Sequence, residues 1–219
     1  MSNEETKPPD WRADISASYD KVAEQYATEY FDELSRKPFD CDLLTRFVQS
    51  LPARARVSDI GCGPGHIARY LSNRGLDASG VDLSPAMVAA AQRLNPQLRF
   101  VQGDMLELPF EDRWFAGITA FYSLIHIERA LLPYALGELY RVLALEGRLL
   151  VAFHVGEGEI HREEWYGQTV AIHVTMFTSA EVTKTMENAG FRISEVIERD
   201  PYEFEYPSRR ASITAFRPL

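Results

Sequence analysis

Cysteine is almost absent from this chain: among 219 residues only Cys41 and Cys62 carry a thiol. Neither belongs to a CxxC pair or to Cys/His ligand spacing, so no disulfide framework is expected, and reduced thiols in a cytoplasmic protein are. Positive charge is also short. Lysine and arginine total 23 against 32 aspartates and glutamates, a net charge of −9. A nonspecific nucleic-acid binder needs the opposite balance, because lysine and arginine must displace phosphate counterions. Long apolar runs are missing too, and none approaches the roughly 18 residues that cross a bilayer. The opening stretch MSNEETKPPD has neither the basic start nor the apolar centre of a signal peptide. No nucleic-acid partner and no membrane partner is expected.

What the chain does have is the balance of an ordinary globular protein, 46% hydrophobic and 25% charged. At roughly 100–200 residues per domain this length predicts one domain, which buries enough surface to need no staples. Residues 1–10 lack apolar periodicity and read as a mobile tail. From Trp11 to about Leu34, Ile15, Tyr19, Val22, Ala23, Tyr26 and Tyr30 recur at helical spacing. Pro38 interrupts, and a second amphipathic stretch runs from Asp42 to about Leu51, so 11–52 reads as a helical cap. Strand and helix then alternate. Strands are predicted over 57–61, 77–82, 98–104, 115–123 and 147–155, with helical runs between them. After a loop over 156–175, a capped helix ends at Gly190 and two late strands follow. This order predicts an α/β protein: a doubly wound, mostly parallel sheet with helices on both faces. Residues 53–155 form its core, and 156–219 supply a lid loop and complete the sheet. Ligands of such sheets sit beyond the carboxyl ends of the strands.

The densest chemical signal lies there, in VSDIGCGPGHIARYL at 57–71. Gly61, Gly63 and Gly65 permit a sharp turn and a close approach of ligand to backbone. The following helix aims amide donors at a carboxylate or phosphate. A plain strand–turn–helix corner uses glycine the same way, so neighbouring signals decide. Asp82 ends the second strand, 21 residues after Gly61, where a carboxylate can accept from both hydroxyls of a ribose. The competing role, capping the next helix, is already met by Ser84. Asp104, in GDMLELPF at the third strand end, can accept from an adenine amino group, with Met105 and Leu106 against the base. The competing reading is a loop aspartate satisfying nearby amides. No GK[ST] follows the glycines, which excludes a Walker loop, and His66 stands where a GxGxxG dinucleotide site needs glycine.

In these residues the chain resembles the class I S-adenosylmethionine-dependent methyltransferases of small-molecule type. DIGCGPG is similar to their first motif, VDLSPAM to the ribose-binding strand end and GDMLELPF to the adenine loop. FAGITAFYSLIHI and ELYRVLALEGRLLVAF resemble the two later motifs, and SYDKVAEQYATEY resembles the helix that covers the cofactor. Leu145-Glu146-Gly147-Arg148 departs from the family's Pro-Gly-Gly turn. The resemblance implies a Rossmann-like, seven-stranded sheet with an antiparallel last strand, and S-adenosyl-L-methionine as cofactor with S-adenosyl-L-homocysteine as product. It places Asp59, Gly61, Gly63 and Gly65 at the methionine end, Asp82 on the ribose with Leu83 and Met87 beside it, and Asp104 and Met105 at the adenine. Phe121 would line the fourth strand end, and Tyr19 and Tyr26 the lid, although tyrosines at that spacing also pack as helix core.

The acceptor side is written less clearly. Methyl transfer asks the protein mainly to align an electron-rich atom and exclude water, and a base is needed only where the nucleophile must lose a proton. His126 is the candidate base or substrate positioner, with Tyr122, His154, Trp165 and Tyr166 as candidate acceptor contacts. Each also has an ordinary packing role open to it. His161 and His173 lack helical ligand spacing, so no metal is expected. Arg209 and Arg210 read as solvated strand-end charges rather than contacts to an acidic substrate. Two other functions stay open: a nicotinamide-dependent oxidoreductase, and a noncatalytic cofactor-binding protein.

Overall fold

The glycine turn sets the layout of the sheet. In the computed structural model, which describes residues 11–219, β1 (Arg56–Ile60) is buried after its first residue. The chain leaves it through Gly61, Gly63 and Gly65, all at positive φ, and enters α3 (His66–Ser72). β2 (Asp77–Asp82) returns parallel to β1, and α4 (Pro85–Leu94) starts where the Ser84 hydroxyl accepts from the Met87 amide. β3 (Arg99–Gln102), β4 (Phe115–Phe121), α5 (Leu132–Val142), β5 (Leu143–Val155), α6 (Ser179–Asn188), β8 (Arg192–Arg199) and β9 (Arg209–Phe216) complete the unit.

The strand order is β3-β2-β1-β4-β5-β9-β8, with the first five parallel and β9 antiparallel to both its neighbours. This is the expected seven-stranded Rossmann-like arrangement. Connections diverge on either side of β1 and β4, so a crevice opens at their carboxyl ends. Both faces are covered. One carries Ile118, Leu136, Leu139, Phe153 and Ile213, the other Leu44, Phe47, Ile67, Leu71 and Leu150. Burial on two sides explains the unbroken apolar run LLVAF in β5.

The cap is formed by α1 (Trp11–Tyr30) and α2 (Pro38–Gln49), joined by a 3-10 turn over Glu33–Arg36. Helix α1 is fastened to α4: Glu24 takes both guanidinium nitrogens of Arg93 at 2.9 and 2.8 Å, and Asp20 accepts from Ser84 Oγ and the Ala86 amide. The expected tail, residues 1–10, lies outside the described residues.

Several expectations need correction. Pro38 begins α2 instead of interrupting the chain before it, because a missing amide costs nothing in the first turn. The expected loop over 156–175 is largely a hairpin of β6 (Glu159–Trp165) and β7 (Gln168–Thr175). Its two-residue turn, Tyr166-Gly167, has φ of 52° and 72°, the left-handed pair that matches strand twist. Tyrosine in the first of those places hides the turn signal, but Val170, Ile172 and Val174 show the alternation of a strand. β5 begins at Leu143 and makes an irregular passage through Glu146, at φ 61°, before regular pairing resumes at Arg148.

Candidate active site

Two chambers open at the carboxyl ends of β1 and β4. The first, about 770 Å³ and open at its mouth, lies between the glycine turn, the ends of β2 and β3, and α1. Asp82 stands in its wall. One carboxylate oxygen accepts from the Gly63 amide at 2.8 Å and the other from the Ser84 amide at 2.9 Å. Each oxygen keeps a second lone-pair direction. Burial raises this carboxyl to about pKa 6, against those two bonds, which lower it. Leu83, Met87 and Met105 supply the apolar surface. Asp104 also lines the chamber, with its oxygens taken by the Leu106 amide at 2.8 Å and Arg12 of α1 at 3.2 Å. Trp11, Ile15 and Ser16 of α1 close the outer side.

The second chamber is larger, about 1390 Å³, and is walled by the hairpin, the cap and the segment before β9. Ile160, Ile172, Val174 and Trp165 give it an apolar side. Its floor is a buried ion network. Glu33 pairs with Lys37 at 2.7 Å and His66 at 2.9 Å, and Glu205 with Arg199 at 2.8 Å, Lys37 at 3.4 Å and Arg210 at 3.4 Å. Burial raises both carboxyls, but hydrogen bonds and charge from their partners, His66 and Lys37 at Glu33 and chiefly Arg199 at Glu205, win and hold each at about 2. His154 lines this chamber with Nδ1 2.7 Å from Ser208 Oγ; burial and the Arg210 charge push it down to about 3, so it is neutral.

Tyr19, Tyr26, Phe121, Tyr122 and His126 line both chambers, together with Gly61 and Gly63. They form the waist where the two spaces meet. Nδ1 of His126 lies 3.0 Å from the His173 carbonyl, so the proton is on Nδ1. Nε2 is then an acceptor, and the Tyr19 hydroxyl donates to it at 2.7 Å. Burial lowers this imidazole to about 4 and raises the Tyr19 phenol. Tyr122 takes a left-handed φ of 53°, held by the hydrogen bond its backbone amide donates to the Ala152 carbonyl at 2.7 Å. Backbone strain of that kind concentrates at functional sites. At Gly61 the backbone passes so close to β4 that a Cβ would lie 2.2 Å from that of Ser123.

A sequence profile for the methyltransferase domain matches residues 57–147. The malonyl-[acyl-carrier protein] O-methyltransferase of Enterobacter lignolyticus is 32% identical over 178 residues, covering 80% of this chain and 67% of that protein. The chain belongs to the S-adenosylmethionine-dependent methyltransferases. Demethylmenaquinone methyltransferase of Beutenbergia cavernae is 36% identical over 143 residues, 64% of this chain and 57% of that one. The methyltransferase thus spans 57–67% of the length of these two relatives. Among solved structures, a methyltransferase of Methanosarcina mazei superposes with a TM-score of 0.71 at 17% identity, over 78% of this chain and 96% of its own. The [4+2]-cyclase SpnF superposes at 0.72 and 16% identity, over 96% and 98%. At such identities the likeness is one of fold.

The candidate residues of this methyltransferase divide between the chambers. Asp82, Leu83, Met87, Asp104 and Met105 line the first; Asp59, His154 and Trp165 line the second. Asp59 accepts from Thr119 at 2.7 Å, and burial raises it to about 6. Gly65 lines neither: at φ 81° it faces Phe100, whose ring would be 2.6 Å from a Cβ, so it lets α3 and β3 approach. Tyr166 also lies outside both, stacked on Trp165 with its hydroxyl donating to Glu29. Arg209 is exposed and paired with Glu198, as expected, but Arg210 is buried and lines the second chamber. Alternation along β9 turns one inward and its neighbour outward. Sequence reasoning missed Arg12, Ser16 and Asp20 on α1, and Glu33, Lys37 and Glu205 in the floor. Charged residues scattered through cap and late loop carry no local signal.

Proposed function

We propose that the first chamber holds S-adenosyl-L-methionine and the second a small amphipathic acceptor, methylated on oxygen, nitrogen or carbon at the waist between them. The shared lining of the two chambers carries this reading, since donor and acceptor can meet there and nowhere else along the described walls. The first chamber's chemistry fits the cofactor. Asp82 retains acceptor capacity for two ribose hydroxyls, Leu83 and Met87 present an apolar slot, and Met105 and Asp104 meet the adenine. Gly61 and Gly63 shape the methionine end at the waist, with Gly65 bracing the turn from behind, and Asp59 borders that end from the second chamber's side. When bound, the cofactor would supply an electrophilic methyl carbon on a sulfonium, with the neutral thioether of S-adenosyl-L-homocysteine as the leaving group.

The chain's own work is alignment and exclusion of water. Tyr19 and Tyr26 cover the waist from α1, and Phe121 and Tyr122 close it from β4. An imidazole held near 4 retains a proton poorly at neutral pH. His126 therefore positions the acceptor by receiving a hydrogen bond at Nε2, in place of the Tyr19 hydroxyl, rather than acting as a strong base. Tyr122, His154 and Trp165 line the acceptor space, and Tyr166 backs Trp165. The relatives are named for malonyl-[acyl-carrier protein] and demethylmenaquinone, which do not converge on one acceptor.

The division follows function: 11–52 the cap, 53–155 the cofactor core, and 156–219 the acceptor wall and sheet completion. Both cysteines are free, which supports a reducing, cytoplasmic setting, and no described helix is long and apolar enough to cross a membrane. The acidic balance disfavours a nucleic-acid acceptor. A methyl-acceptor screen read by S-adenosylhomocysteine release, beside calorimetry with S-adenosylmethionine and NADH, tests the proposal. Binding of NADH without binding of S-adenosylmethionine would overturn it.

A further inference from the structure

The outer face of the β6–β7 hairpin gathers Glu159, His161 and His173, with one ligand atom from each within 4.8 Å of the other two. His161 and His173 are cross-strand partners with rings 4.4 Å apart, and Glu159 precedes His161 by two residues on the same side. Nε2 of His161 is already 3.7 Å from a Glu159 carboxylate oxygen. All three side chains are exposed, pointing away from both chambers. Expecting no metal here rested on helical spacing. Two histidines twelve residues apart satisfy no helical rule, yet hairpin register sets them face to face.

We propose that these three side chains bind one divalent transition-metal ion of the zinc type. Two imidazoles and a carboxylate form a nitrogen–nitrogen–oxygen set suited to a tetrahedral ion, with bonds of about 2.0–2.2 Å and a fourth position open to water. Small side-chain rotations bring the three atoms to that spacing, and exposed rotamers have the freedom to make them. Magnesium and calcium are excluded by the same donors, since both require larger, all-oxygen shells.

The consequence is mechanical. A two-stranded sheet is marginal alone, and this one is held by its inner face and by bonds from Ser18 and Lys21 of α1 to the β7 backbone. On the inner face Val170 and Ile172 pack on Ile15 and Val22 of α1. An ion spanning Glu159, His161 and His173 ties the strands from outside. It also fixes the wall of the second chamber and the His173 carbonyl that accepts from His126 at 3.0 Å.

Calorimetric titration of the whole untagged chain with zinc chloride tests this, with magnesium and calcium chloride as parallel arms and His161→Gln and His173→Gln as variants. The expected result is one saturable zinc ion per chain, bound at least tenfold more weakly by either variant, with no response to magnesium or calcium. Zinc is expected to raise the melting temperature of the unsubstituted chain by a few degrees and to leave both variants unchanged. Circular dichroism of the variants confirms that they are folded. Absence of saturable zinc binding, or zinc binding that survives both substitutions, overturns the proposal. Neither result bears on methyl transfer.

Discussion

The two chambers are assembled differently along the chain. The first takes its floor from three successive strand ends, so Gly61, Asp82 and Asp104 arrive in sequence order with a helix or loop after each. The second is collected from the cap, the hairpin and the segment before β9: Lys37, Trp165 and Glu205 come from three distant stretches. A chamber built from consecutive strand ends has local signatures because every unit repeats one geometric task. A chamber built from distant pieces has none, and its residues are chosen by their tertiary neighbours.

Gly61 belongs to both chambers, so the sharpest break is Gly61→Ala. The added Cβ meets Ser123 at 2.2 Å from a backbone at φ 74°. Strain and overpacking together are expected to cost about 3 kcal/mol in urea unfolding, with cofactor binding lost as well. Next is Asp82→Asn, which touches the first chamber alone. Hydrogen bonds to a charged group contribute about 1.5–3 kcal/mol, so S-adenosylhomocysteine affinity is expected to fall roughly a hundredfold by calorimetry. Affinity within a few-fold of the original would remove Asp82 from the ribose.

His126→Asn separates the chambers the other way. Turnover on an identified acceptor is expected to fall about ten- to a hundredfold, while S-adenosylhomocysteine affinity stays nearly constant. An unchanged rate would leave His126 as a brace for the hairpin.

The pH dependence draws the same contrast. Asp82 and Asp59 have folded values near 6 against an ordinary 3.8, so native protein holds their protons longer than unfolded chain does. Stability from these two groups is therefore fully present below about pH 4 and falls until about pH 6. Cofactor affinity moves oppositely, rising through pH 6 as Asp82 ionises and gains strength as an acceptor. In Asp82→Asn that rise flattens. His126 adds no step near pH 6.5, because it is already neutral above about 4.

The smallest effect is expected from Tyr166→Phe. It removes an exposed bond to Glu29 while keeping the ring on Trp165, so unfolding free energy changes by less than about 1 kcal/mol and acceptor KM is unaffected.

The course of the sheet was legible because its elements carry strong local constraints: glycines at positive φ, Ser84 and Pro85 at a helix start, apolar runs in the buried strands. Pro38 and the Tyr166-Gly167 turn were harder to read, since each residue suits more than one local conformation. Arg210 shows the limit most clearly. Nothing local distinguishes it from Arg209, yet one is buried against Glu205 and the other is exposed.

The sequence by itself determined the α/β order, the glycine turn and the acidic residues at successive strand ends, because those features are set by neighbours a few residues away; the cofactor class came through the resemblance those motifs bear to the methyltransferases. Tertiary structure alone decided that His126 is neutral and fixed as one tautomer, that an ion network floors the second chamber, and that His161 faces His173 across a hairpin. Burial, proton position and cross-strand register depend on chain segments brought together from far apart, and no local pattern encodes them.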